Sequence, residues 1–365
     1  MMRSTDPIEA VSQRLDQFFS AQVENTARLG EEAALLVRAG ADAVAGGKRL
    51  RARFCLAGWR AAAGSAASQV GPVPDAVIAA AGALEIFHAA ALVHDDLIDN
   101  SDTRRGRPAA HRALETLHGQ AGWHGDADAF GRAGAVLLGD LLVAWSDDLF
   151  EDGLQQAPAP HAIAARAEYG RMRREVTIGQ FLDIAEESSF TVAPDQEHAA
   201  RALRVASLKS ARYSVQQPLV IGAALAGAAP APQAALAAFG HAVGMAFQLR
   251  DDVLGVFGDA VVTGKPSGDD LREGKRTVLV AYAREAMDAD VRAAFDARLG
   301  DPHLDADEIG ALQQLIRESG ALERTEALIA EYATAAEAVL QEDLLGAEAL
   351  SELRELARAA TVRSS

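Results

Sequence analysis

The stretch Leu92–His111, LVHDDLIDNSDTRRGRPAAH, decides how the rest of the chain is read. It sets Asp95, Asp96 and Asp99 within five residues and follows them with Asp102, Arg104, Arg105 and Arg107. If the part before Arg104 is helical, Asp95 and Asp99 are four apart and Asp96 and Asp99 three apart, so the carboxylates share one face. Like charges at that spacing repel, so helix stability gives no reason for them. A divalent cation does: hard oxygen ligands favour Mg²⁺, which keeps several waters and binds substrate phosphates beside one or two carboxylates. The arginines then read as the other clamp on the phosphate, because guanidinium groups bind it bidentately. A solvated acidic helix end running into a basic loop is the alternative that this stretch alone leaves open.

Upstream, Glu85, His88, Leu92, Asp95 and Asp99 follow one another at spacings of three and four, a polar stripe on a segment otherwise apolar from Ala76 onward. Asp75 is placed to cap that helix. Earlier still, residues 6–44 read as one or two amphipathic helices with Phe18, Phe19, Leu29, Leu35 and Leu36 as candidate buried positions. Gly46-Gly47 breaks the pattern, and Lys48-Arg49-Leu50-Arg51-Ala52-Arg53 opens the next helix. Cations oppose the dipole at a helix start and so need another reason to be there. A phosphate held by backbone N–H groups and by Lys48 and Arg51 on one face supplies that reason.

Downstream, Leu137–Phe150 reads as a buried helix, and Ala162–Ala185 carries Gln180 and Asp183 on one face. That pair is either a buried hydrogen-bonded couple or an outer support for the ion site. Lys209-Ser210 opens the run LKSARYSVQQPLVIGAALAG, where Pro218 is expected to kink the helix. Met245–Asp259, MAFQLRDDVLGVFGD, partly repeats the first acidic pattern through Gln248, Asp251, Asp252 and Gly255. If the two helices face each other in a bundle, their carboxylates can hold two or three Mg²⁺ with a diphosphate bridging the ions. Thr263–Thr277, TGKPSGDDLREGKRT, is a Gly- and Lys-bearing loop suited to folding over phosphate.

The composition narrows the function classes. With 365 residues, 49% of them hydrophobic, the chain can bury a large core. Apolar residues recur three and four apart nearly throughout while strand-period alternation is scarce, so the fold class is all-α. One helical domain is expected over residues 1–365, with the motifs between about 46 and 277 and a frayed tail at 361–365. The net charge of −17, from 35 basic and 52 acidic residues, argues against nucleic acid or anionic lipid as a partner. Any anion must therefore meet local basic clusters: Lys48–Arg53, Arg104–Arg107, and Lys265 with Arg272, Lys275 and Arg276. No stretch reads as a transmembrane span, since even Ala76–Leu92 carries Glu85 and His88. Cys55 is the only cysteine, which excludes an internal disulfide, and together with an N-terminus lacking an apolar run it points to the cytoplasm.

The motifs GGKRLR, ExxH before DDxxD, RRGRP, GQxxD, a KS pair, FQxxDD and a GK-containing loop stand here in the order found in the trans-isoprenyl diphosphate synthases. The chain resembles that family of head-to-tail prenyl chain elongases from about Gly46 to Thr277, and among them most the geranylgeranyl diphosphate synthases of actinobacteria. The resemblance implies packed helices around a deep cavity with Mg²⁺ at its mouth, and a homodimer. It implies that Lys48, Arg51, His88 and Arg105 hold the diphosphate of isopentenyl diphosphate. Asp95 and Asp99 would ligate two Mg²⁺ on the allylic diphosphate with Asp96 close by, and Asp251 a third. Arg104, Lys209, Ser210, Gln248, Lys265 and Lys275 would contact that same diphosphate. The implied reaction ionises the allylic diphosphate, adds the double bond of isopentenyl diphosphate to the cation and loses a proton.

Product length is read from the helix before Asp95, along which the growing tail would run. Ala91 and Ala90 are too small to stop it early, and Phe87 lies on the same face a turn deeper, so a geranylgeranyl product is expected ahead of farnesyl. Two positions depart from the family's common pattern: Gly255 stands where a third aspartate is usual, and Ser210 where threonine is frequent. Terpene cyclases share a helical fold and an aspartate-rich motif but lack the GGKRLR and RRGRP elements that serve a second diphosphate. A non-catalytic partner subunit would be expected to have lost Asp95, Asp96, Asp99 or Asp251, and all four are present.

Overall fold

The computed structural model describes residues 6–64, 72–104, 106–258 and 267–361. Helices α1 (Pro7–Thr26), α2 (Glu31–Val44) and α3 (Leu50–Ala63) lead to α4 (Asp75–Ile98), against which α1, α2 and α3 pack. A two-residue hairpin, β1 (Thr103–Arg104) and β2 (Arg107–Pro108), follows, with Arg104 paired to Arg107 and Gly106 turning the chain at φ +72°. Then come α5 (Ala110–Gln120), α6 (Ala127–Leu154), α7 (Ala159–Ser189) and α8 (His198–Val205). The chain continues from α8 without a break into a π-helical segment, Ala206–Gln216, and into α9 (Gln217–Leu225). Helix α10 (Pro230–Phe257), the one-turn α11 (Asp269–Glu273), α12 (Val278–Ala286), α13 (Ala289–Asp296), α14 (Ala306–Glu318), α15 (Ala321–Ala338), α16 (Glu342–Leu345) and α17 (Ala347–Thr361) complete it. The fold is all-α, as its apolar periodicity implies.

Helix α4 is the axis of the core. Its Ala79, Ala80, Ala81 and Ala83 are essentially without exposure, as expected of the part before Glu85, which is apolar all round. Among the described residues it is the one helix long and apolar enough to cross a membrane, contrary to the expectation that Glu85 and His88 would rule that out. Yet 83% of its apolar window is buried by neighbouring helices, so the length and composition serve the bundle. Small residues bring the helices close. A Cβ on Gly222 would stand 1.9 Å from the carbonyl oxygen of Cys55, and one on Gly58 would stand 2.1 Å from that of Leu219, which locks α3 against α9.

Four local expectations change. Leu29 is 71% exposed because it lies in a 3₁₀ turn between α1 and α2 rather than on a helix face. Asp75 begins α4 inside the helix, and Pro74 occupies the cap position. Leu137 is exposed on the outer side of α6. Pro218 lies in a helix that runs on without a break, and the irregularity expected there takes the form of the π-helical run just before it.

Candidate active site

The end of α4 delivers the first acidic motif. Asp96 turns inward and is only 3% exposed, while Asp95 and Asp99 stay partly open. The hairpin carries Arg104 back over them: its Nε donates to Asp96 Oδ1 at 2.8 Å and its Nη2 lies 3.4 Å from Asp95 Oδ2. From the π-helical segment, Lys209 Nζ lies 3.2 Å from Asp95 Oδ1 and donates to Asp183 Oδ2 at 2.5 Å. Gln180 Nε2 donates to Asp95 Oδ1 at 3.1 Å, so Gln180 and Asp183 on α7 support Asp95 in different ways, one directly and one through Lys209.

These contacts set the charge state. Burial alone would raise Asp95, but Lys209, Lys275 and Arg104 outweigh it and hold the carboxyl below its ordinary value. Asp99 is raised, by burial first and by Asp95 and Glu273, against the pull of Lys275. Burial would lower Lys209, yet Asp95 and Asp183 keep it charged well above the usual lysine range. Glu187, one turn beyond Asp183, is pushed up to about 7 by burial and by Asp183 and Asp99. Its place four residues after Asp183 was a signal that sequence reading passed over.

Helix α10 carries the second motif. Asp252 is buried and pushed up to about 8 by burial and by Asp270, while Gln248 Nε2 donates to its Oδ1 at 2.7 Å. Gln248 is thus engaged within the motif rather than turned to a phosphate. Asp251 lies half-buried beside it. After α11, Lys275 Nζ sits 2.7 Å from Glu273 Oε2 and 3.3 Å from Asp99 Oδ2. That side chain spans from the loop behind the second motif to the first, so the two acidic helices face a shared space.

The basic start of α3 is arranged differently from expectation. Lys48 precedes the helix and is exposed, because Arg49 takes the left-handed conformation at φ 50°; Lys48 and Arg51 therefore do not share a helical face. The N–H of Ala52 is already taken by Glu85 Oε1 at 2.9 Å, with Arg49 Nη1 at 3.8 Å from Glu85 Oε2. Arg51 is buried, stacks on the Tyr213 ring at 4.4 Å, and its Nη2 donates to Tyr213 Oη at 2.6 Å and Ser214 Oγ at 2.7 Å. Its Nε is buried without a partner, an unspent donor in a cluster that also holds His88 Nδ1, 3.0 Å from Tyr213 Oη. Tyr213 and Ser214 escaped sequence reading. Ser210 lies half-buried on the same π-helical segment, and Arg105 and Lys265 lie outside the described residues.

Among the described residues no three His, Cys, Asp or Glu side chains close into a ready-made ion site, because lysines and an arginine stand between the carboxylates. Asp95 and Asp99 nevertheless present hard oxygen donors at the open side of the cluster. That is the donor set expected for Mg²⁺ whose remaining positions are filled by waters and substrate phosphate. The residues fit the ion.

The profile of the polyprenyl synthetase family matches residues 33–316. The chain belongs to the polyprenyl synthetase family. Its structure superposes on that of geranylgeranyl pyrophosphate synthase from Corynebacterium glutamicum, complexed with isoprenyl diphosphate and magnesium, with a TM-score of 0.90. The two are 37% identical, and the match covers 100% of both chains. It is 32% identical to geranylfarnesyl diphosphate synthase of Aeropyrum pernix over 81% of this chain and 83% of that one. It is 36% identical to farnesyl diphosphate synthase of Mycobacterium tuberculosis over 60% of this chain, and spans 53% of that relative's length. These polyprenyl synthetase relatives make products of different length, so family membership leaves the product open.

Proposed function

We propose that the chain is a Mg²⁺-dependent trans-prenyltransferase. It condenses isopentenyl diphosphate with dimethylallyl, geranyl and farnesyl diphosphates, gives mainly geranylgeranyl diphosphate, and works as a homodimer. The observation that carries this reading is the reach of Lys275, from the loop after α11 behind the second acidic motif, to Asp99 of the first, with Lys209 and Arg104 on its neighbour Asp95. An allylic diphosphate seated there would exchange those lysine and arginine contacts for its own oxygens. Arg104, Lys209 and Lys275 would then take the charge of the leaving diphosphate. When bound, Mg²⁺ supplies further neutralisation of that diphosphate as a Lewis acid.

Arg51, with its unspent Nε, and His88 and exposed Lys48 offer the second anion subsite, for isopentenyl diphosphate. Asp96, held inward by Arg104, keeps that arginine aimed at the mouth. The apolar wall before Asp95 keeps water from the allylic cation until the double bond of isopentenyl diphosphate adds and a proton leaves. Ala91 is half-buried, Ala90 and Phe87 are buried, and this gradation along one helix supports Phe87 as the floor for a geranylgeranyl chain. The exposed apolar side chains Val136 and Leu137 on α6 and Ile178 and Phe181 on α7 support the homodimer.

The test is product analysis with purified protein, labelled isopentenyl diphosphate, each primer in turn, and Mg²⁺ or EDTA. Geranylgeranyl diphosphate as the dominant product, lost in EDTA, is expected. A farnesyl or longer product would overturn the length assignment, and no product from any primer would overturn the activity.

A further inference from the structure

Gly255 is a helical residue in the last turns of α10, and its φ is not positive. Glycine inside a helix costs about 1 kcal/mol relative to alanine, so backbone freedom does not account for it. Space does. A Cβ at position 255 would stand 2.0 Å from Oδ2 of Asp270 and 2.4 Å from its Cγ. The carboxylate of Asp270 therefore lies against the helix face where a side chain at 255 would begin, four residues on from Asp251.

The placement of Asp270 is well anchored. Helix α11 is bracketed by Gly268 and Gly274, both left-handed with φ near 75°, and Leu271 is fully buried in the cluster that holds Val253 and Val256 of α10. A Cβ on Gly268 would press on Ile309 at 2.5 Å and one on Gly274 on Gly300 at 2.9 Å, so the turn is tightly seated on both sides. The N–H of Lys275 donates to the carbonyl of Asp270 at 3.1 Å, which ties the lysine that reaches Asp99 to the residue that fills the glycine's place. Asp270 acts on both neighbours: it adds to the burial that raises Asp252, and it is the first carboxylate to offset the burial of Lys275.

We propose that Asp270 supplies, from a neighbouring helix, the third carboxylate that the second acidic motif lacks at Gly255, and there helps hold the ion assigned to Asp251. This rests on the reading of the site given above. The glycine is then the condition for the relocated acid rather than a loss, since carboxylates at 255 and 270 would contend for one place.

The probe is Mn²⁺ with inorganic pyrophosphate, followed by electron paramagnetic resonance on the full chain. In D270N, the weakest-held ion should bind about tenfold less tightly, while D270E, which keeps a carboxylate, should stay within about threefold of the unaltered chain. G255D/D270A, which returns the acid to α10, should recover most of the loss. Equal Mn²⁺ binding by D270N and the unaltered chain overturns the proposal, as does equal loss in D270N and D270E. If G255D/D270A does not fold, as judged by thermal melting, the D270N and D270E pair decides. Absence of Mn²⁺ binding by the unaltered chain would instead strike at the proposed function.

Discussion

Glu85→Ala tests whether the start of α3 is organised by a carboxylate rather than by a bound phosphate. Glu85 is 7% exposed, and its Oε1 accepts from the N–H of Ala52 at 2.9 Å. A hydrogen bond to a charged acceptor contributes roughly 1.5–3 kcal/mol, and truncation also leaves the buried Ala52 donor unmet. A loss of about 2–3 kcal/mol is expected. Unfolding entropy of about 2.1 cal/mol/K per residue makes ΔS about 0.8 kcal/mol/K for a chain of this length, so the Tm should fall by roughly 3–4 °C. Glu85→Gln keeps an acceptor oxygen and should lose about half as much. Because α3 also carries Arg51, the alanine variant should raise KM for isopentenyl diphosphate more than KM for the allylic substrate. Differential scanning calorimetry and steady-state kinetics read the two effects. A Tm within 1 °C of the unaltered protein, or equal changes in both KM values, would refute the reasoning.

Asp252, pushed up to about 8 by burial and Asp270, should make the ion-free protein lose stability as pH rises. Its folded-state value lies above the unfolded one of about 3.9, so the contribution is whole below pH ~4 and fades through pH ~8, up to about 6 kcal/mol at 1.36 kcal/mol per unit. In EDTA, Asp252→Asn should flatten that slope in melts at pH 5, 7 and 9; parallel curves would contradict the placement. Gly222→Ala forces a Cβ to 1.9 Å from the Cys55 carbonyl oxygen, and separating α3 from α9 should cost about 1–3 kcal/mol in urea unfolding. Ala91→Phe should shorten the product by narrowing the path before Phe87; an unchanged chain-length distribution by mass spectrometry would remove that floor.

What was legible in the sequence is what neighbouring residues decide among themselves. Asp95, Asp96 and Asp99 share a helix end, and their spacing pointed to an ion site while leaving a solvated helix end open; Gln180 and Asp183 were likewise paired by a spacing of three, and both reach Asp95 or its lysine. Partners far along the chain were invisible. Tyr213 meets Arg51 across 162 positions, and Glu85, correctly set on a polar stripe, gave no sign that its target was the N–H of Ala52. That Asp270 lies against Gly255 was equally invisible, because helical periodicity cannot see α11 folding onto that face. Leu29 failed because a 3₁₀ turn rotates it away from the stripe that an unbroken helix would continue. The Lys48 and Arg51 pairing failed for a related reason, a single left-handed residue at Arg49.

The π-helical run from Ala206 to Gln216 has a consequence for how this chain can change. It joins α8 and α9 without a loop, and its i→i+5 bonds enclose one residue more than α-helical ones. Deleting one residue there would tighten the run toward α geometry. Lys209, inside the run, would then be turned away from Asp95 and Asp183, ahead of Gly222 on the Cys55 carbonyl. The π turn thus aims the cationic side chain, and Lys209 is transplantable between scaffolds only with the whole of that run.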